Sequence, residues 1–164
     1  MEKYCDNRSV GVVLTNQNGE LALLTRGRFP IGIAPPAGHV DDHGSPEQAA
    51  VDEVSEELGV TLALDGLKRT TIMGRRVDNV CRRTGGDHHD WNVYEARVDA
   101  DVALLPDAEE TKGARWYSPS DVEALAERTR RYLVGAIPED EWAANPGLEP
   151  VWVPFMQELG YVRE

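Results

Sequence analysis

The sequence predicts an α/β fold in which a mixed β-sheet is covered by a few helices. Apolar runs typical of strands alternate with segments that have helical periodicity and begin at a serine followed by proline. The chain has 164 residues, 41% of them hydrophobic, which is enough for one buried core and short for two. We therefore expect a single domain over residues 1–164.

The first predicted element is a β-hairpin. Its strands are residues 10–15 and 21–25, and the turn between them contains Asn18-Gly19, a dipeptide that readily adopts the left-handed conformations of tight turns. Residues 29–38 follow with three prolines and two glycines. This composition favours an extended, sharply turned segment over a helix.

The next element is a helix predicted over residues 46–58. Ser45 is suited to the N-cap and Pro46 to the first helical position, and Gln48 stands where a capping box requires it. Gly59 can take the left-handed conformation at which helices commonly end. Both ends of the helix are therefore predicted from local chemistry.

The later elements are less sharply bounded. Strands are predicted over residues 67–80 and 91–98, with a long glycine-containing loop between them, and a second helix begins around Ser118. A short helix is predicted near residues 150–159. Strands mixed with helices in this order indicate a mixed sheet.

The charge of the chain excludes several classes of partner. A net charge of −12 disfavours general nucleic-acid or membrane-surface binding, which depends on lysine and arginine. Cys5 and Cys81 are the two cysteines and lie far apart, so no disulfide framework is indicated. The first twenty residues contain only a short apolar run. We therefore expect a cytoplasmic protein.

The helix at residues 46–58 carries an unusual acidic face. Glu53, Glu56 and Glu57 fall within an arc of about 100°, and no lysine or arginine occurs from Ser45 to Val60. Like charges at this spacing destabilise a helix unless something neutralises them. A hard divalent cation such as Mg²⁺ would do so. A solvated acidic surface is the alternative.

Residues 38–60 resemble the Nudix box, a family motif with fixed spacing. Seven of its nine specified positions match: Gly38, Glu53, Val54, Glu56, Glu57, Gly59 and Val60. The two departures are Gly44, where the family has glutamate, and Asp52, where it has arginine. In the family these two residues form an ion pair that orients the catalytic helix. Losing both partners together is less costly than leaving one charge unpaired, but Asp52 then needs another partner.

The resemblance implies a Nudix-like α/β/α sandwich and a metal site. Carried over by position, Glu53, Glu56 and Glu57 would bind Mg²⁺ (or Mn²⁺), with the Gly38 carbonyl as a fourth ligand. The resemblance also implies that Glu57 would be a catalytic residue. The family often takes its general base from a loop ahead of the strand that precedes the second helix. Glu110 is our preferred candidate for that base, and Glu109 is the alternative.

Further candidate residues come from the positive charge between Asp65 and Asp90. Arginine side chains suit phosphate recognition, and we expect Arg28, Arg76 and Arg82 to bind substrate; ordinary surface positions are the alternative. Cys81, His88 and His89 lie on one loop and suggest zinc, but they lack a fourth ligand at standard spacing. Contact of one histidine with substrate, or a polar loop tip, competes with that interpretation.

The main functional hypothesis is a metal-dependent hydrolase. It would cleave a phosphoanhydride in a nucleoside diphosphate linked to another moiety, as in ADP-ribose, a sugar nucleotide or a nucleoside triphosphate. The alternative is a Nudix-fold module or regulator that binds a nucleotide without cleaving it, which Gly44 and Asp52 keep open. An isomerase acting on a diphosphate ester is a weaker third hypothesis. The resemblance also suggests a homodimer.

Overall fold

The computed structural model describes residues 2–164, and within them it has seven strands and four α-helices. The strands are β1 (Arg8–Thr15), β2 (Leu21–Arg26), β3 (Ile33–Ala34), β4 (Ala37–His39), β5 (Lys68–Val77), β6 (His89–Arg97) and β7 (Thr111–Tyr117). The helices are α1 (Pro46–Leu58), α2 (Pro119–Leu133), α3 (Glu139–Ala144) and α4 (Trp152–Glu158).

The strands form one mixed sheet with the order β3-β2-β1-β6-β5, in which β4 also pairs with β1 and β7 with β2. Strands β1 and β6 are parallel, and the other pairs are antiparallel. The predicted hairpin is present as two strands, but their register is recorded only at Thr15 opposite Leu21. Beyond the turn this edge of β1 pairs with β4 and the facing edge of β2 pairs with β3, so the two strands diverge, while β7 pairs with the opposite edge of β2.

Helices cover both faces of the sheet, which confirms the α/β/α sandwich. Successive side chains of β1 point to opposite faces. Val12 and Leu14 pack in a cluster with α1, whereas Val13 packs in a second cluster with α2 and α4. The strand is apolar on both faces because each face is buried.

The predicted bounds of α1 are confirmed. The Ser45 hydroxyl accepts the Gln48 backbone N–H at 3.1 Å, and Gly59 ends the helix with φ 66°. The side chain of Gln48 does not complete a capping box, because it donates instead to Asp52 Oδ1 at 2.8 Å. The Ser45 cap therefore fixes where α1 begins, while the Gln48 side chain binds an acid of the same helix.

Other elements differ from expectation in extent. Strand β5 ends at Val77 rather than at residue 80, because the loop after it folds toward the N-terminal segment, where the Cys5 N–H donates to the Thr84 carbonyl at 2.8 Å. Helix α3 was not predicted; its six residues have no side-chain N-cap. None of the helices within residues 2–164 combines the length and the hydrophobicity that a membrane-spanning segment needs.

Candidate active site

A pocket of about 550 Å³ opens where β2, β4 and α1 meet. The loop after β5 and the residues before β7 complete its walls. Its lining is strongly charged, with acids and arginines facing one space.

Three acidic side chains of the pocket form what we call the carboxylate cluster: Glu53, Glu57 and Glu110. The first two lie one turn apart on α1, and the third comes from the segment before β7. The backbone N–H of Ala37 donates to Glu57 Oε1 at 2.9 Å. A Cβ atom on Gly38 would overlap the carboxylate of Glu53. Glycine at position 38 therefore lets the β4 backbone approach the acidic face of α1.

The cluster is electrostatically strained. Burial raises the pKa of Glu53, and the neighbouring charges of Glu57 and Glu56 raise it further. Burial also raises the pKa of Glu57, against the opposing effects of the Ala37 N–H and the charge of Arg26. Burial and like charge both disfavour ionised carboxyls. A divalent cation between them would remove this penalty, so the residues present fit a hard metal ion.

The Gly44 and Asp52 departures are compensated by an unforeseen contact. His43 Nδ1 lies 2.7 Å from Asp52 Oδ2, and the other ring nitrogen lies 4.0 Å from Glu53 Oε1. The Gln48 side chain holds the second oxygen of Asp52. Hydrogen bonds from Gln48 and His43 lower the pKa of Asp52. The acid is now on the helix and the donor is on the loop, the reverse of the family's ion pair.

The structure separates the remaining acidic candidates. Glu56 is exposed and lies outside the pocket lining, although its charge acts on Glu53. Glu110 lines the pocket, and its charge raises the pKa of both Glu53 and Glu57. Glu109 is not part of the lining. Geometry thus favours Glu110 over Glu109.

The three arginines predicted to bind substrate differ in their position relative to the pocket. Arg28 and Arg82 line the pocket. Arg76 does not, because its guanidinium is exposed on β5 and pairs with Asp78 at 2.9 Å. Arg26 also lines the pocket, where its Nε donates to the Pro30 carbonyl at 2.7 Å.

Glu149 and Phe29 are two of the pocket residues that sequence reasoning missed. Glu149 lies just before α4, is 6% exposed and lines the pocket; burial raises its pKa to about 7 against the charge of Arg26. Phe29 lines the same pocket yet is 64% exposed. A lone acid far along the chain gives no local signal, whereas Phe29 beside Arg28 could have been noticed as an aromatic next to a cation.

The loop after β5 brings two of its three zinc candidates to the pocket. His88 is not one of them, because its ring pairs with Asp87 at 2.7 Å. Four side chains converge instead, and we call them the Cys/His cluster: Cys5, His39, Cys81 and His89. Burial lowers the pKa of His39 and of His89, which favours neutral imidazoles.

The fold and the acidic pocket together define the class of protein. A family model described as the NUDIX domain matches residues 6–136. The chain therefore belongs to the NUDIX family, as the motif at residues 38–60 suggested. A search of curated proteins found no match.

Solved structures share the fold. An E. coli dihydroneopterin triphosphate pyrophosphohydrolase is 19% identical with a TM-score of 0.62, over 75% of this chain and 88% of that one. A C. elegans Ap4A hydrolase in a binary complex is 21% identical with a TM-score of 0.57, over 78% and 98%. The NUDIX domain of Shewanella oneidensis NrtR complexed with ADP ribose is 19% identical with a TM-score of 0.56, over 81% and 90%.

Proposed function

We propose that the protein is a metal-dependent hydrolase that cleaves a phosphoanhydride in a nucleoside diphosphate linked to another moiety. The observation that carries the proposal is the convergence of Glu53, Glu57 and Glu110 on one pocket that arginines also line. ADP-ribose, a sugar nucleotide and a nucleoside triphosphate are the substrate types to test. Two of the structural neighbours are named as hydrolases of nucleotide or pterin phosphates.

The carboxylates would hold Mg²⁺ or Mn²⁺ together with substrate phosphates. Glu53 and Glu57 are the ligands inside the pocket, Glu56 would reach the metal from the helix surface, and the Gly38 carbonyl is the fourth candidate. A bound divalent ion neutralises phosphate charge and lowers the pKa of water. The structure supports the donor set through the raised pKa of the two pocket glutamates.

The chain's own residues supply the remaining requirements. Glu110 would accept a proton from the attacking water, which adds to phosphorus as the bridging P–O bond breaks. Arg28 and Arg82 would bind the diphosphate oxygens, and the exposed ring of Phe29 would stack on a nucleobase. Arg76 remains a substrate-binding candidate only at the periphery, since Asp78 pairs with it.

The test is a panel of nucleoside diphosphate derivatives with Mg²⁺ or Mn²⁺ and product identification by mass spectrometry. We expect two phosphate-containing products from at least one compound, and no turnover by Glu57→Gln. Glu127→Gln on the outer surface of α2 is the matched control. Undiminished turnover by Glu57→Gln would remove the proposed mechanism.

A nucleotide-binding module is the second candidate, favoured by Gly44 and Asp52 in place of the family's ion pair. It would bind a nucleotide in calorimetry and release no products from any compound in the panel. The contact between His43 and Asp52 argues for the hydrolase, because it gives Asp52 a partner in place of the family's ion pair. The cytoplasmic location and the homodimer stay predictions.

A further inference from the structure

The Cys/His cluster draws its members from four separate segments of the chain. Cys5 precedes β1, His39 ends β4, Cys81 lies on the loop after β5, and His89 begins β6. Two cysteines and two histidines are the ligands of many structural zinc sites. No carboxylate of the carboxylate cluster belongs to this group.

The distances suit a tetrahedral ion. Zinc bonds of about 2.0–2.3 Å place neighbouring ligand atoms about 3.3–3.8 Å apart. Cys5 Sγ lies 3.4 Å from His39 Nε2 and 3.3 Å from His89 Nε2. The four potential ligand atoms all lie within 4.8 Å of one another. Two of the six edges of the tetrahedron therefore already have the length that zinc requires, and the other four are no longer than 4.8 Å.

The histidine orientation also suits a metal. His89 Nδ1 lies 2.8 Å from Asn79 Oδ1. An amide oxygen only accepts, so Nδ1 carries the proton and the Nε2 lone pair faces the cluster. A hydrogen bond from the second ring nitrogen is the usual way in which a metal-binding histidine is oriented. His89 is 3% exposed.

The backbone holds the thiols in place. The Cys5 N–H donates to the Thr84 carbonyl and the Cys81 N–H donates to the Gly86 carbonyl, both at 2.8 Å. A Cβ atom on Gly86 would overlap Cys81 Sγ, so glycine at position 86 allows the loop to close around this thiol. The N–H of Asn7 donates to Cys5 Sγ at 3.4 Å. Burial nevertheless raises the pKa of this thiol to about 11, so the bound ion itself must drive the loss of its proton.

We propose that the Cys/His cluster is a structural Zn²⁺ site that fastens the loop of residues 79–88 to the N-terminal segment and β4. Binding releases a proton from each thiol, and the two thiolates balance the charge of the ion. The site has no open position for substrate, as is usual for structural zinc. The ion would fix the pocket wall that carries Arg82. One of its ligands, His39, directly follows Gly38 in the chain.

The first test is the metal content of tag-free protein purified with a reductant and without chelator. We expect a single zinc ion per chain by mass spectrometry of the metal. Cys81→Ser and Cys5→Ser lose it, whereas His88→Ala, a neighbouring histidine outside the cluster, keeps it. Wild-type protein that holds no zinc after incubation with ZnCl₂ and desalting overturns the proposal.

The second test uses Co²⁺ on metal-free wild-type protein, so that no variant has to fold. Thiolate-to-cobalt charge transfer with intense tetrahedral bands is expected, and excess Mg²⁺ should not displace the ion. Oxygen ligands such as Glu53 and Glu57 give no thiolate band, which keeps this outcome independent of the proposed hydrolase function. Weak octahedral bands alone, or a Cys5–Cys81 disulfide in freshly purified protein, overturn the zinc site.

Discussion

The carboxylate cluster and the Cys/His cluster lie beside each other but are encoded in different ways: His39, Cys81 and His89 line the pocket that holds the carboxylates, and Cys5 is not part of its lining. Glu53 and Glu57 lie four residues apart on α1, whereas Cys5 lies 34 residues from His39 and 84 from His89. Oxygen ligands suit hard ions such as Mg²⁺, and thiolate with imidazole suits Zn²⁺. The glutamates of the first cluster can be predicted from helical spacing in the sequence. The members of the second cluster are brought together only by the topology of the sheet.

The largest expected effect separates the two clusters. Glu57→Gln removes a carboxylate from the reaction centre, and we expect kcat/KM to fall by about 10⁴-fold while bound zinc is unchanged. Cys81→Ser should show the opposite pattern, with zinc lost and a residual Mg²⁺-dependent turnover. Steady-state kinetics and metal analysis on the same samples measure both. If either variant loses both properties while still folded, the clusters are not independent.

The general base should show a smaller effect. Glu110→Gln keeps the size of the side chain and removes its proton acceptor, so we expect kcat to fall by about 10²-fold with little change in KM. Glu109→Gln is the matched control, because Glu109 lies outside the pocket lining. Kinetics across a pH series measure both variants. Equal losses in the two would exclude a specific role for Glu110.

Glu149 belongs to neither cluster, and its titration tests how strongly burial in the pocket disfavours a charged carboxylate. Its pKa rises from 4.5 to about 7 on burial, so the folded protein binds the extra proton between these values. Folding stability therefore falls as pH rises through this window and levels off above it. Relative to Glu149→Gln, wild type should lose about 3 kcal/mol of unfolding free energy between pH 4.5 and pH 8.

Chemical denaturation of metal-free protein at several pH values measures this difference. Glu158→Gln is a suitable control, since Glu158 pairs with Arg75 on the surface and its pKa is lowered rather than raised. A constant difference between wild type and Glu149→Gln across the window would show that Glu149 does not hold a proton in the folded state.

The smallest effect concerns how Glu53 is oriented. His43 contacts Asp52 and lies 4.0 Å from Glu53, so we regard it as a positioning residue. His43→Ala should raise the half-activating Mg²⁺ concentration by about 10-fold. His43→Asn, which retains a donor toward Asp52, should recover part of the loss. Asp42→Ala is the control, and an unchanged Mg²⁺ activation curve in His43→Ala would argue against this role.

Much of the fold followed from local patterns. The N-cap, proline and terminal glycine of α1 defined its bounds because each acts within a few residues. Strands β1 and β2 and their pairing next to the turn were predictable from their apolar runs and the Asn18-Gly19 turn, but their other partners were not. Pairing depends on which distant strand arrives alongside, and β4, β6 and β7 carry no local mark of that choice.

The site divides along the same line. Gly38, Glu53 and Glu57 could be named from motif spacing, since a helix fixes which side chains share a face. The partner of Asp52 could not, because His43 reaches it only after the loop folds back over α1. Glu149 could not be named either, because no local pattern marks it. It lies after residues 6–136, which the family model matches, and reaches the pocket only in the folded chain.

The sequence by itself determined α1, its acidic face and the family. Helix periodicity and capping are short-range effects, so nearby residues suffice to specify them. Only the tertiary structure decided that Cys81 and His89 lie beside Cys5 and His39. His88, which the sequence also suggested, pairs with Asp87 instead. Zinc ligation requires four atoms at one point in space, and the parallel pairing of β1 with β6, together with the β1–β4 pairing, brings those distant residues together.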